Sequence, residues 1–170
     1  MRKHGYLVIL IIFICTFIGT VVAYSGEYKD SNDPKKAMLV YTDTKSLPNE
    51  YTPDMARSKG DVVIENNKIY NKQKFEDFLV SIQKKNMDKV QIVVYTNEGD
   101  ALIEQLYFDG ETIVLITDNT RDDVTSSENR QINRYEALEI QKHTKKSGVL
   151  YVATLENGES FDIVYFEEIK

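Results

Sequence analysis

The chain has 170 residues, with 21 basic and 27 acidic side chains, 42% apolar residues, eleven Tyr, seven Phe, no Trp and one Cys. A formal net charge of −6 argues against nucleic acid and anionic lipid as ligands, and a single Cys, Cys15, excludes a disulfide framework and a thiolate metal centre. The chain is long enough for one domain of common size behind its N-terminal segments and too short for two.

Leu7 to Ala23 is a nearly unbroken apolar run entered through Met1-Arg2-Lys3-His4. A basic start followed by such a run is a signal peptide or signal anchor over residues 1–23, with everything after Tyr24 delivered outside the cytoplasm. A spanning helix needs roughly 20 apolar residues and a cleavable signal about 7 to 15, so length leaves both readings open. Val21-Val22-Ala23 suits cleavage after Ala23, whereas the uninterrupted Leu7 to Ile18 core suits a retained anchor. Ile14 precedes Cys15 where a lipobox has Gly or Ala, so Cys15 reads as a membrane-buried residue. Arg2 and Lys3 are the only ionised side chains before Tyr24, which leaves the remainder with 19 basic against 27 acidic side chains, a net charge of −8.

Residues 24–59 are polar and uneven and read as a stalk, interrupted by a small apolar patch, Met38-Leu39-Val40-Tyr41, able to add an edge strand or make a transient contact. Thr52, Pro53 and Gly60 supply the cap, first turn and terminator of a short helix, and a single domain is expected over residues 60–170. Val62-Val63-Ile64 and Lys68-Ile69-Tyr70 flank Glu65-Asn66-Asn67 as a hairpin. Asn71 then caps a long helix in which Phe75, Phe78, Leu79 and Ile82 fall at i, i+3, i+4 and i+7, an apolar stripe.

After Lys89 the pattern changes to strands rich in β-branched and aromatic residues: Val90 to Thr96, Ala101 to Phe108, Glu111 to Thr117, Arg134 to Gln141, Val149 to Leu155 and Phe161 to Phe166. Glycines 99, 110, 148 and 158 mark short connections, which force antiparallel neighbours and predict a meander. Val149 to Leu155 is apolar on both faces and is expected at the centre. The fold expected is α+β, one amphipathic helix packed on a curled, mostly antiparallel sheet, cystatin-like or similar.

Lys59-Gly60-Asp61-Val62-Val63 leading into Lys68-Ile69-Tyr70-Asn71, then Tyr95-Thr96-Asn97-Glu98-Gly99-Asp100, then Asp118-Asn119-Thr120-Arg121-Asp122, resemble in order and context a bacterial family filed as domain of unknown function 4362. The likeness covers roughly Lys59 to Phe166. It implies small exported proteins, mostly Gram-positive and often lipoproteins, and no activity; the missing lipobox departs from the lipoprotein members.

Candidate chemistry is sparse. Asp118, Asn119, Thr120, Arg121 and Asp122 open the one long polar loop and are the candidate binding residues. The alternative is that Asp118 and Asn119 bond local amides while Arg121 pairs with a carboxylate. The loop fails as an EF-hand, since its sixth residue is Asp123 and its twelfth Asn129, and no metal or other cofactor is expected. Ser81-Ile-Gln-Lys84, Ser127-Glu-Asn129 and Lys146-Ser-Gly148 mimic the motifs of penicillin-recognising serine enzymes, but Ser81 lies late in a helix. His143 reads as an exposed turn residue, and Tyr107, Tyr135, Tyr151 and Tyr165 as a possible stacking face.

With no catalytic residues assigned, the expected function is a non-enzymatic binding or inhibitory module that meets a protein or peptide partner outside the membrane, through a sheet edge or the Asp118 to Arg130 loop. Alternatives are a small envelope hydrolase using carboxylates such as Glu104, Glu136 or Asp122, and a structural accessory of a membrane complex held by an uncleaved N-terminal helix.

Overall fold

The computed structural model describes residues 44–167, so the 1–23 segment and the Met38 to Tyr41 patch lie outside the described residues. Among the described residues, no helix is long and apolar enough to cross a membrane. A 3₁₀ turn at Thr44–Ser46 is followed by helix α1 (Pro53–Lys59). Strands β1 (Val62–Glu65) and β2 (Lys68–Tyr70) come next, then helix α2 (Lys72–Gln83). The rest is strand: β3 (Asp88–Tyr95), β4 (Ala101–Phe108), β5 (Ile113–Asp118), β6 (Ile132–Lys145), β7 (Gly148–Leu155) and β8 (Ser160–Glu167).

All eight strands join one sheet of order β2-β1-β3-β4-β5-β6-β7-β8, so the α+β class and the mostly antiparallel sheet are as expected. From β3 onward the sheet is a meander, joined by short glycine-bearing turns except between β5 and β6, where the loop of residues 119–131 makes the return. The exception is β1 beside β3, which pair in parallel with Val62 opposite Ile92, and whose connection runs through β2 and α2. Strand β7 is not central: only β8, the edge strand, lies beyond it, and it buries Val149, Tyr151, Ala153 and Leu155 on one face while Leu150 and Val152 on the other are half-buried. Irregular register at Ala137/Glu139 and at Tyr151/Val152 bends the last three strands.

The hairpin turns on Asn66 and Asn67, both at positive φ, as a two-residue turn of this hand requires. Asn71 starts α2 differently from expectation. It sits in the left-handed region at φ 55° with no side-chain cap; instead its amide donates to the Asp61 carbonyl at 2.8 Å and ties the helix start to the end of α1. Thr52 and Gly60 do act as expected: the Thr52 hydroxyl accepts from the Met55 N–H, and Gly60 ends α1 at φ 85°.

The stripe on α2 buries Phe75 and Phe78 completely against Leu106, Leu115, Tyr151 and Phe166, with Leu79 and Ile82 half-buried beside them. Phe75 meets Tyr151 edge-on at 4.9 Å between ring centres. The opposite face of β1, β3 and β4 carries a second core, in which Leu47, Tyr51 and Ala56 cover Val63, Val93, Tyr95, Ala101 and Ile103. This corrects the stalk expected over residues 24–59, because residues 44–59 belong to the folded unit. Leu47 and Tyr51 supply the apolar cover that the far face of Ala101-Ile103 needs, and the Tyr95 hydroxyl donates to the Tyr51 carbonyl at 2.7 Å. The lack of a wet face on β4 thereby finds its cause.

Gly148 is required by packing rather than by its turn. A Cβ built there would stand 2.2 Å from the Phe166 carbonyl oxygen and 2.9 Å from the Tyr165 ring. Gly148→Ala should therefore push β8 off β7 and cost about 1 to 3 kcal/mol in urea denaturation, and an unchanged midpoint would contradict that packing.

Candidate functional site

The Asp118 loop is a knot. Asp118 ends β5, and its carboxylate, with none of its side chain exposed, accepts from the Thr120 N–H at 2.8 Å and the Thr120 hydroxyl at 2.6 Å. It also accepts from the Arg121 guanidinium at 2.8 Å, and only 7% of that side chain is exposed. Burial alone would raise the Asp118 carboxyl, but donors from Thr120, Thr44 and Arg121 outweigh it and hold the group below the usual carboxylate range. The other guanidinium nitrogens donate to the carbonyls of Thr44, Leu47 and Pro48, so Arg121 clamps the N-terminal cover onto the sheet. Asn119 bonds Gln131 and Asn129, and Asp122 accepts from Val124 and Thr125. The five residues come together as the local-bonding alternative pictures them.

Thr120 and the outer side of Arg121 do line a groove of about 550 Å³ with Glu50, Asp100, Asp123 and Arg130. Both of its arginines are paired from within: Arg130 with Asp123 at 2.9 Å and Arg121 with Asp118.

The remaining candidates disperse. Ser81 donates its hydroxyl to Asp88 at 2.7 Å, and His143 is exposed opposite Leu150 on β6. Tyr135 and Tyr151 pack in the α2-side core, whereas Tyr107 lies on the opposite face beside Gln105 and Tyr165 is an exposed residue of the terminal strand bonded to Ser147. Among the described residues, no three His, Cys, Asp or Glu side chains converge as metal ligands would. Glu104 and Glu136 stand on opposite faces: Glu104 shares the row of Ile92, Thr117 and Asn133, and Glu136 lies three residues beyond Asn133. They do not flank one substrate.

Glu104 itself is unusual. Its Oε2 is enclosed without a hydrogen-bond partner, and burial pushes its carboxyl up to about 8. The folded state therefore holds a proton that the unfolded chain releases near pH 4.5, so this contribution to stability is complete below that value and is lost as pH rises towards 8. Between pH 5 and pH 7.5, wild type should lose about 2 to 3 kcal/mol relative to Glu104→Gln in paired urea titrations, and a pH-independent difference would contradict the assignment.

A second site was not legible from spacing. Where β3 extends past the start of β1, a half-open cleft of about 500 Å³ has Asp61, Gln91, Gln105 and Tyr107 in its floor and reaches Lys74 of α2. Gln91 and Gln105 face each other directly across β3 and β4. The Tyr107 hydroxyl donates to Gln105 Oε1 at 2.9 Å, Gln105 Nε2 to Gln91 Oε1 at 2.6 Å, and Gln91 Nε2 to Asp61 Oδ2 at 2.8 Å. Tyr51 donates to the same Asp61 oxygen at 2.6 Å. Every donor in the chain points towards Asp61, whose carboxyl is pushed up by burial against the pull of those donors and of Lys59. Three lysines, Lys59, Lys74 and Lys89, line the mouth. The signal in the sequence was two amides inside apolar strands, and it acquires meaning only once the register sets them side by side.

A family model, Domain of unknown function (DUF4362), matches residues 59–152, a span that holds the cleft from Lys59 to Tyr107 and the Asp118 loop. No curated protein and no solved structure matches.

Proposed function

The chain belongs to the DUF4362 family, which is defined by no activity, and from that premise we propose a non-enzymatic binding module that meets a protein or peptide partner outside the cytoplasm. The observation that carries this reading is a half-open cleft in which half-buried Gln91 is fixed in advance by Asp61 on one side and by the buried Gln105-Tyr107 pair behind it, an arrangement suited to recognition with little ordering cost. The separation of Glu104 from Glu136 favours binding over carboxylate hydrolysis. The basic start and apolar run of residues 1–23 support the location, as signal or as anchor. α2 lying on an antiparallel sheet supports a cystatin-like build, and we include it in the proposal.

Affinity capture of the tagged full chain on native cell envelope tests the proposal. A single protein or peptide retained in stoichiometric amount is the expected result. Catalytic release of soluble envelope fragments with no retained partner would contradict it and favour the hydrolase.

A further inference from the structure

The cover that α2 gives the sheet ends partway along the strands. The row Val90-Leu106-Leu115 is buried in the core beneath the helix. One row further on, Glu104, Thr117 and Asn133 stand side by side on β4, β5 and β6, with about 5 Å between neighbouring backbones, and all three are half-buried. Val94 and Leu102, the row beyond, are half-buried as well. Tyr135 follows Asn133 on the same side and lies against Phe161 at 5.9 Å between ring centres. This bay is on the opposite side of β3 and β4 from Gln91 and Gln105, so it stands apart from the cleft and from the reading given to it.

The polar row is unused by the fold. Glu104 Oε2 is enclosed without a hydrogen-bond partner, and the side chains of Thr117 and Asn133 make no hydrogen bond among the described residues. No cation among the described residues pairs with Glu104. Around it β3 contributes Ile92 and Val94, β5 Leu115 and Thr117, and β6 Asn133 and Tyr135, whereas Arg134 points to the other side. A carboxyl so placed escapes the cost of an isolated charge either by holding a proton or by facing a cation, and the described residues supply no cation.

The chemistry of a ligand follows from the same groups. With Oε2 enclosed, a single carboxylate oxygen is open, which denies a guanidinium its two parallel bonds and suits the compact charge of an ammonium. The Thr117 hydroxyl and the Asn133 carboxamide oxygen can accept its remaining N–H groups. The Tyr135 and Phe161 rings favour a cation with an apolar body, and the net charge of −8 beyond Ala23 draws cations to the domain. We propose that this bay binds a small primary amine, its ammonium on Glu104, Thr117 and Asn133 and its apolar body against Tyr135 and Phe161.

Isothermal titration calorimetry of the purified full chain with 2-phenylethylamine, and with 2-phenylethanol as its uncharged match, tests this. The amine is expected to bind about tenfold or more tighter than the alcohol, and Glu104→Gln to weaken the amine by about tenfold or more while leaving the alcohol unchanged. Binding must displace the proton that burial keeps on Glu104 up to about pH 8. Amine affinity should therefore rise about tenfold per unit between about pH 6 and 7 and level off above about 8, a profile absent from Glu104→Gln. Should that variant's melting temperature fall, Thr117→Val, which keeps the shape of its side chain, is the second and should weaken the amine about threefold or more. Equal affinity for amine and alcohol would overturn the proposal in favour of an apolar bay. Amine affinity that ignores both substitutions, or no heat from either probe at millimolar concentration, would overturn it outright.

Discussion

Arg121→Ala is expected to destabilise the domain by about 3 to 5 kcal/mol, enough to unfold much of it at physiological temperature. The substitution leaves the Asp118 carboxylate buried without its cation and takes donors from the carbonyls of Thr44, Leu47 and Pro48. Two losses combine, an uncompensated charge and a released N-terminal cover over Val63, Val93 and Ile103. Arg121→Lys should recover only a minor part, because one ammonium cannot reach four acceptors in a planar fork. The pH dependence follows from the lowered Asp118 carboxyl. Its contribution is present above the ordinary carboxylate range and disappears as pH falls through its own lower value, so Asp118→Asn should flatten the acid limb of the stability curve below about pH 4. Urea titration of the three variants checks this, and an Arg121→Ala loss below 1 kcal/mol would show that the clamp is ornamental.

Phe78→Ala should cost about 3 to 5 kcal/mol, mainly through the cavity it leaves between α2 and the sheet. Phe78 is fully buried, as is Phe75 one turn earlier, and neither can be replaced from solvent. The surrounding strands are fixed by their ladders and cannot collapse into the space, which places the expected loss in the upper part of the range for such truncations. Chemical denaturation with a loss under 1 kcal/mol would remove α2 from the centre of the fold.

Phe78 also shows what could be read from sequence. Periodicity of 3.6 marked its helix, and strand β4 was bounded by residue, because local pattern and glycine turns determine both. Pairing partners are a different matter. The parallel β1–β3 neighbours are joined across β2 and α2, and nothing local distinguishes that return from another hairpin. The cover by Leu47 and Tyr51 was hidden for a related reason: two apolar residues in a polar stretch have no period, and only the bare far face of Ala101-Ile103 calls for them. For the Asp118 loop, residue types announced a polar cluster, and the geometry turns Arg121 inward towards three carbonyls 73 to 77 residues upstream. The Gln91-Gln105 pair was invisible because a cross-strand contact exists only after register is known.

The central claim, that a partner enters the cleft over Gln91, is tested most directly by placing a photo-crosslinking residue at Lys74 on its mouth and, separately, at exposed Gln141 on β6, then irradiating each full-chain protein in native cell envelope. The account predicts one discrete adduct from position 74 and none from position 141. Equal labelling from both positions, or an adduct from position 141 alone, would contradict it.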